Sequence, residues 1–158
     1  MIPFNHIDEK TYTKIIDLIP ILCVDIILTN TEGKYLLIKR ANQPLLGQWW
    51  VIGGRVHKGE KIIDAVNRKV LEETRITASK LSFCGFYEDF FNDTPFKNKA
   101  NLHSVSLVFR GLIKPGSKVT LDSQSSSWKF ANDMPNRFKI ITNKEFYFDT
   151  NLNKGLSY

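Results

Sequence analysis

Cysteine is scarce in this chain. Cys23 and Cys84 are the two among 158 residues, each with apolar neighbours. That argues against a disulfide-built secreted scaffold and makes the cytoplasm the expected compartment. Long apolar runs are missing as well. Nothing approaches the roughly 20 residues that span a bilayer, and the greasiest region, Ile15 to Leu28, is interrupted by Asp17, Pro20 and Asp25. The opening Met-Ile-Pro-Phe-Asn-His-Ile-Asp-Glu-Lys lacks the basic-then-apolar order of a signal peptide. Nor are there basic clusters: the formal charge is +6, yet no basic run exceeds the length of Lys39-Arg40. Neither a nucleic-acid partner nor a membrane is therefore expected. Positive potential around a pocket for a polyanionic small molecule accounts for the scattered charge.

What the chain does contain is one domain's worth of alternating elements. An apolar content of 42% and a charged content of 24% are ordinary for a globular protein with a real core. Asp8 to Leu18 reads as a short amphipathic helix, with Tyr12, Ile15, Ile16 and Ile19 at helical spacing and Pro20 as its stop. Ile21 to Leu28 reads as a buried strand, apolar except for Asp25. Thr29 to Gly33 is a turn, Lys34 to Lys39 the returning strand, and Trp49 to Ile52 a further strand that Gly53-Gly54 ends. A helix is expected over Glu60 to Thr74, with an apolar stripe of Ile62, Ile63, Val66, Val70 and Leu71. Further strands are expected at Leu81 to Phe90 and Leu102 to Leu112, separated by the polar Asn92 to Asn101, which could lie over a pocket. Asp122 to Ser127 reads as a polar loop before Trp128-Lys129-Phe130. Phe138 to Tyr158 is a short mixed segment with a frayed Asn-rich tail. Several strands around two or three helices make an α/β fold, a mixed sheet sandwiched between helices in one domain spanning 1–158.

The chemistry concentrates between Gly53 and Ile76: Gly-Gly-Arg-Val-His-Lys-Gly-Glu, seven residues, then Arg-Lys-Val-Leu-Glu-Glu-Thr-Arg-Ile. A glycine turn leads into a helix whose far end carries the paired carboxylates Glu72 and Glu73. Hard oxygen ligands of this kind suit Mg²⁺ or Mn²⁺ bridging phosphate oxygens, and nearby arginine or lysine neutralises the remaining charge. Glu60 and Arg68, eight apart, make an ion pair more structural than catalytic. Asp25 needs a partner or a task, because an unpaired buried carboxylate is costly. Of Trp49 and Trp50, one is expected in the core.

Gly54, Glu60, Arg68, Val70, Glu72, Glu73 and Ile76 stand in the register of the Nudix box: glycine, five residues, glutamate, seven residues, then Arg-Glu-aliphatic-any-Glu-Glu-any-Gly-aliphatic. The chain departs from it at Lys69, where the family has a metal-binding glutamate, and at Arg75, where it has glycine. Lys69 is most simply a surface lysine, with a built-in cation in place of a metal as the alternative. Within the Nudix hydrolases the chain resembles the GDP-mannose mannosyl hydrolases, which tolerate that loss, through Asp25, Lys39-Arg40, Gly47-Gln48-Trp49-Trp50, Gly53-Gly54-Arg55-Val56 and Gln124. The resemblance implies an Mg²⁺- or Mn²⁺-dependent enzyme that attacks the anomeric carbon of a nucleoside diphosphate sugar such as GDP-mannose. It implies a metal on Glu73, Gln124 and the Gly53 carbonyl, with Glu72 beside them; Arg40 and Arg55 on the diphosphate; and Asp25 orienting the sugar or an arginine. A homodimer is a further implication. Where that subfamily has a general-base histidine this chain has Ser125, leaving His103, His57, Glu88 or Asp122 as substitutes. A changed substrate or a slow enzyme would also fit. A pyrophosphohydrolase and a nucleotide-sugar-binding protein are the rival readings.

Overall fold

A computed structural model describes residues 7–92 and 101–145, with side chains to Ile140; most of the polar stretch from Asn92 to Asn101 and the Asn-rich tail lie outside the described residues. The first helix, α1 (Glu9–Leu18), starts where Asp8 accepts a hydrogen bond from the Thr11 amide at 3.0 Å, an N-cap that satisfies an otherwise open backbone donor. It ends at Ile19, which is extended, as a residue before proline prefers.

β1 (Ile21–Thr29) lies at the centre of the architecture. It runs parallel to β6 (Leu102–Ile113), which pairs antiparallel with β5 (Ala78–Phe91). β2 (Tyr35–Arg40) meets β1 at the Thr29–Tyr35 pair and then leaves it, pairing with β3 (Trp49–Trp50) and β7 (Ser125–Ala131). The place beside β1 is taken by β4 (Ile52–Arg55). One short stretch therefore serves two partners, with Val51 at the changeover. The strand expected to end at Gly53-Gly54 instead continues through both glycines to Arg55, since their backbones pair with Asp25 and Val24 of β1. β7 likewise begins at Ser125, inside the expected polar loop, because its backbone pairs with Arg40 of β2.

Helices cover both faces. α2 (Ile62–Thr74) packs Ala65, Val66 and Val70 on Val24, Ile26, Leu36, Ile38 and Ile52. α3 (Asn136–Glu145), in what the sequence suggests is a mixed segment, seats Phe138 against Trp50 and Tyr87 on the other face. α1 adds Tyr12 and Ile16 to Ile21 and Leu102. The buried face of α2 is rotated from the expected stripe: Ile63 and Leu71 are exposed, while Lys69 and Glu73 are buried. Arg75, in the box's glycine position, ends the helix in the left-handed region at φ 57°, a conformation glycine adopts freely and other residues reach at about 1 kcal/mol.

Candidate active site

The first turn of α2 is locked from its middle. Glu60 precedes the helix rather than lying on it, and Arg68 reaches back to hold it. Arg68 Nε and Nη2 donate to the two Glu60 carboxylate oxygens at 2.6 and 2.9 Å. Nη1 donates to Glu72 at 3.1 Å and Nη2 to the Arg55 carbonyl at 3.0 Å. Glu60 also accepts from the His57 amide at 2.9 Å. The Arg68 hydrogen bonds hold the Glu60 carboxyl below its usual range. One guanidinium thus ties together the helix, the loop before it and the end of β4, a bidentate geometry that lysine cannot copy.

Its sequence neighbour behaves differently. Lys69, expected at the surface, is 5% exposed. The inward turn of α2 lays its stem against the backbone of the glycine pair, so close that a Cβ on Gly54 would fall 2.8 Å from Lys69 Cε. Its ammonium sits 2.7 Å from Glu73 Oε1 and 3.6 Å from Glu72 Oε2. Burial raises the Glu73 carboxyl, and the Lys69 charge opposes that rise.

On the other side of the glycine pair lies Asp25. It is buried, with Tyr87 donating its hydroxyl to Oδ2 and Ser106 as a further hydrogen-bond partner. Burial nevertheless lifts its carboxyl to about 6, against the pull of those hydrogen bonds and of Arg40. A Cβ on Gly53 would lie 2.1 Å from Asp25 Oδ1 and 2.6 Å from the Val24 carbonyl. Only glycine fits there.

Asp25, the glycine pair, Arg68, Lys69 and Glu72 line one cleft of about 590 Å³, together with Arg40, Arg55, His57 and Gln124. Arg40 is anchored through Nε to the Pro44 carbonyl at 2.7 Å, and the Arg55 guanidinium lies 4.1 Å above the Tyr12 ring. Neither arginine has a carboxylate ion-pair partner among the described residues. Gln124 is exposed and held by Asp122, which accepts from its backbone amide at 2.9 Å. Cys23 also faces the cleft, where burial pushes its thiol up to about 12, so it offers no nucleophile.

Some expected residues are not brought together. His103 lies on the opposite face of β6 from Leu102, Ser104 and Ser106, which line the cleft. It pairs with Glu88 at 3.0 Å and stacks on Phe90, so strand alternation removes both it and Glu88 from the cleft. Ser125 is buried at the start of β7, its hydroxyl without a partner among the described residues. His57, one of the substitutes named for the missing histidine, is half-buried at the cleft wall. Trp50 is in the core, and Trp49 carries Lys129 over its ring at 4.2 Å. Sequence reasoning overlooked Tyr87, Ser106 and Tyr12 as cleft residues. The small polar Ser104 and Ser106, alternating on one face of an apolar strand, are the signal that was available.

The family model described as the NUDIX domain matches residues 20–135. The chain belongs to the Nudix family. It is similar to the low-salt glycan biosynthesis protein Agl8 of Haloferax volcanii, with 28% identity over 127 residues, 80% of each chain. It is also similar to an ADP-ribose pyrophosphatase of Methanocaldococcus jannaschii, with 32% identity over 121 residues, covering 73% of this chain and 65% of that protein. Its fold matches the NUDIX domain of Shewanella oneidensis NrtR, solved with ADP ribose, at a TM-score of 0.59 and 22% identity over 85% of this chain and 87% of that one.

Nudix hydrolases generally use divalent metals, so the donor set matters. No cluster of three His, Cys, Asp or Glu side chains suited to a metal occurs among the described residues. Glu73, its central carboxylate, is already engaged by Lys69. A Mg²⁺ ion on Glu73 Oε1 at about 2.1 Å would lie no more than about 4.8 Å from the Lys69 nitrogen, given the 2.7 Å contact. With an effective dielectric of about 20 the two cations would repel by about 7 kcal/mol, where a glutamate would attract by as much. The residues as disposed do not fit the family's metal.

Proposed function

We propose that the protein is a nucleotide-sugar hydrolase that cleaves at the anomeric carbon, with GDP-mannose as the representative substrate. The observation that carries this reading is the Lys69–Glu73 pair. It breaks up the carboxylate cluster on which attack at phosphorus depends, but leaves a cationic cleft for a departing diphosphate. Arg40 and Arg55 take the diphosphate oxygens, and the Asp25 carboxylate orients a sugar hydroxyl at the floor. The C1–O bond breaks with its electron pair leaving on the diphosphate. Water adds its hydroxyl to the oxocarbenium-like carbon, and its remaining proton passes to solvent. The relative named for glycan biosynthesis supports a sugar-linked substrate. Two free thiols suit the cytoplasm, and a homodimer completes the reading.

A second reading is favoured by the relative named an ADP-ribose pyrophosphatase: cleavage between the phosphates. Incubation with a panel of nucleotide sugars and ADP-ribose, with products resolved by ion-exchange chromatography, separates the two. Nucleoside diphosphate plus reducing sugar is expected. Nucleoside monophosphate plus sugar phosphate would establish the second reading, and binding without any product would make the protein a nucleotide-sugar receptor.

A further inference from the structure

We propose that the Lys69 ammonium is a tethered cation standing where a divalent ion would otherwise sit, so that the cleft binds a diphosphate without a metal. The side chain reaches both carboxylates expected beside the ion. Its nitrogen is 2.7 Å from Glu73 and 3.6 Å from Glu72, and its stem lies against Gly54 of β4. Gln124, a further expected ligand, is held by Asp122 at the cleft edge. An ammonium carries three N–H donors. Glu73 and Glu72 engage at most two of them, which leaves one for a phosphate oxygen in the cleft that Lys69 lines.

The charges fit that assignment. Arg68 is spent on Glu60, Glu72 and the Arg55 carbonyl. Lys69 offsets the buried Glu73, and Arg40 and Arg55 remain for the ligand. Burial also gives Lys69 a fixed geometry, held from below by Gly54 of β4 and from the side by Glu73, so a tethered charge here is preorganised as a bound ion would be. That the ligand is a diphosphate rests on the function proposed above; that Lys69 displaces the metal does not.

The test therefore has two arms. In the first, Mn²⁺ alone is titrated into the wild-type protein and into Lys69→Glu and Lys69→Gln, followed by electron paramagnetic resonance. The wild type is expected to leave Mn²⁺ free, and Lys69→Glu, or Lys69→Gln if the glutamate variant does not fold, to bind one ion at least about tenfold more tightly. One tight Mn²⁺ on the wild type, abolished by Glu73→Gln, would overturn the proposal. In the second arm, GDP binding to the wild type is measured by calorimetry in EDTA and in Mg²⁺. Affinities within about threefold of each other are expected, with a loss of about tenfold or more for Lys69→Met in EDTA, part of which Mg²⁺ restores because the ion can then take the vacated place. A wild type that needs Mg²⁺ to bind GDP would overturn the proposal. If GDP binds under neither condition while the Mn²⁺ arm gives the expected result, the substrate reading falls and the tethered cation stands.

Discussion

Arg68 and Lys69 are adjacent cations on one helix, each within 2.7 Å of a glutamate, yet they do opposite kinds of work. Arg68 is a fastener. It spans the helix, the preceding loop and β4, and its carboxylate partners Glu60 and Glu72 are box residues that the chain retains. Lys69 stands where the box is broken, turned one residue further into the cleft, against the glycine backbone. The box thus separates into a part that holds the loop in place and a part that sets the chemistry, and Lys69 alters only the second; the other departure, Arg75, lies at the helix C-cap. A carboxylate changed for a cation would be ruinous in the first part, where Glu60 and Arg68 depend on each other. In the second, the resulting charge is absorbed by Glu73.

Removing the fastener should have the largest effect. Arg68→Ala strands the Glu60 carboxylate, which is 3% exposed, and should cost about 4 kcal/mol in denaturant unfolding; a loss under about 1 kcal/mol would put the loop's anchor elsewhere. The buried acid across the glycine pair comes next. Asp25 has its folded-state value lifted from 3.8 to about 6, so the native protein binds a proton that the unfolded chain releases. Its protonation therefore favours the fold below about pH 4, and that advantage fades as the pH rises through about 6, a swing of about 3 kcal/mol. Asp25→Asn should flatten this slope in unfolding measured from pH 4 to 7; an unchanged slope would place the titration elsewhere.

Lys69→Met should be milder than Arg68→Ala. It should cost about 2 kcal/mol near neutral pH and less in acid, where the abandoned Glu73 takes up a proton. A cost equal to that of Arg68→Ala at every pH would erase the distinction between the two cations. Smallest is Arg75→Gly, which relieves the left-handed cap and should raise stability by about 1 kcal/mol, read as a shifted denaturation midpoint.

Much of this was legible in the chain because it is local. Helix and strand periodicity set α1, β1, β2, β6 and most of α2, and the fixed spacing of Glu60 and Arg68 announced their pair. What escaped was set by contacts distant in sequence. Asp25 and its hydrogen-bond donor Tyr87 are 62 residues apart, and no spacing rule joins them. The continuation of β4 through Gly53 and Gly54 depends on β1 accepting a strand so close that a side chain would collide with Asp25. Lys69 reads as a surface residue by type, and its burial follows from the rotation of α2 that also leaves Ile63 and Leu71 in solvent. His103 was misplaced by one residue of alternation, which in a strand reverses the face.

The stack of Arg55 on Tyr12 has a consequence for where the working molecule begins. The matched family segment opens at residue 20, while Tyr12 belongs to α1, which precedes it. A chain trimmed to the matched segment would keep every residue of the box and still lose the platform beneath Arg55, one of the two arginines proposed to face the diphosphate. That guanidinium would then be free to sample many rotamers before each encounter with a ligand. The unit that builds the cleft is longer than the unit that reveals kinship, and transplanting this cleft into another scaffold would require the leading helix to travel with it.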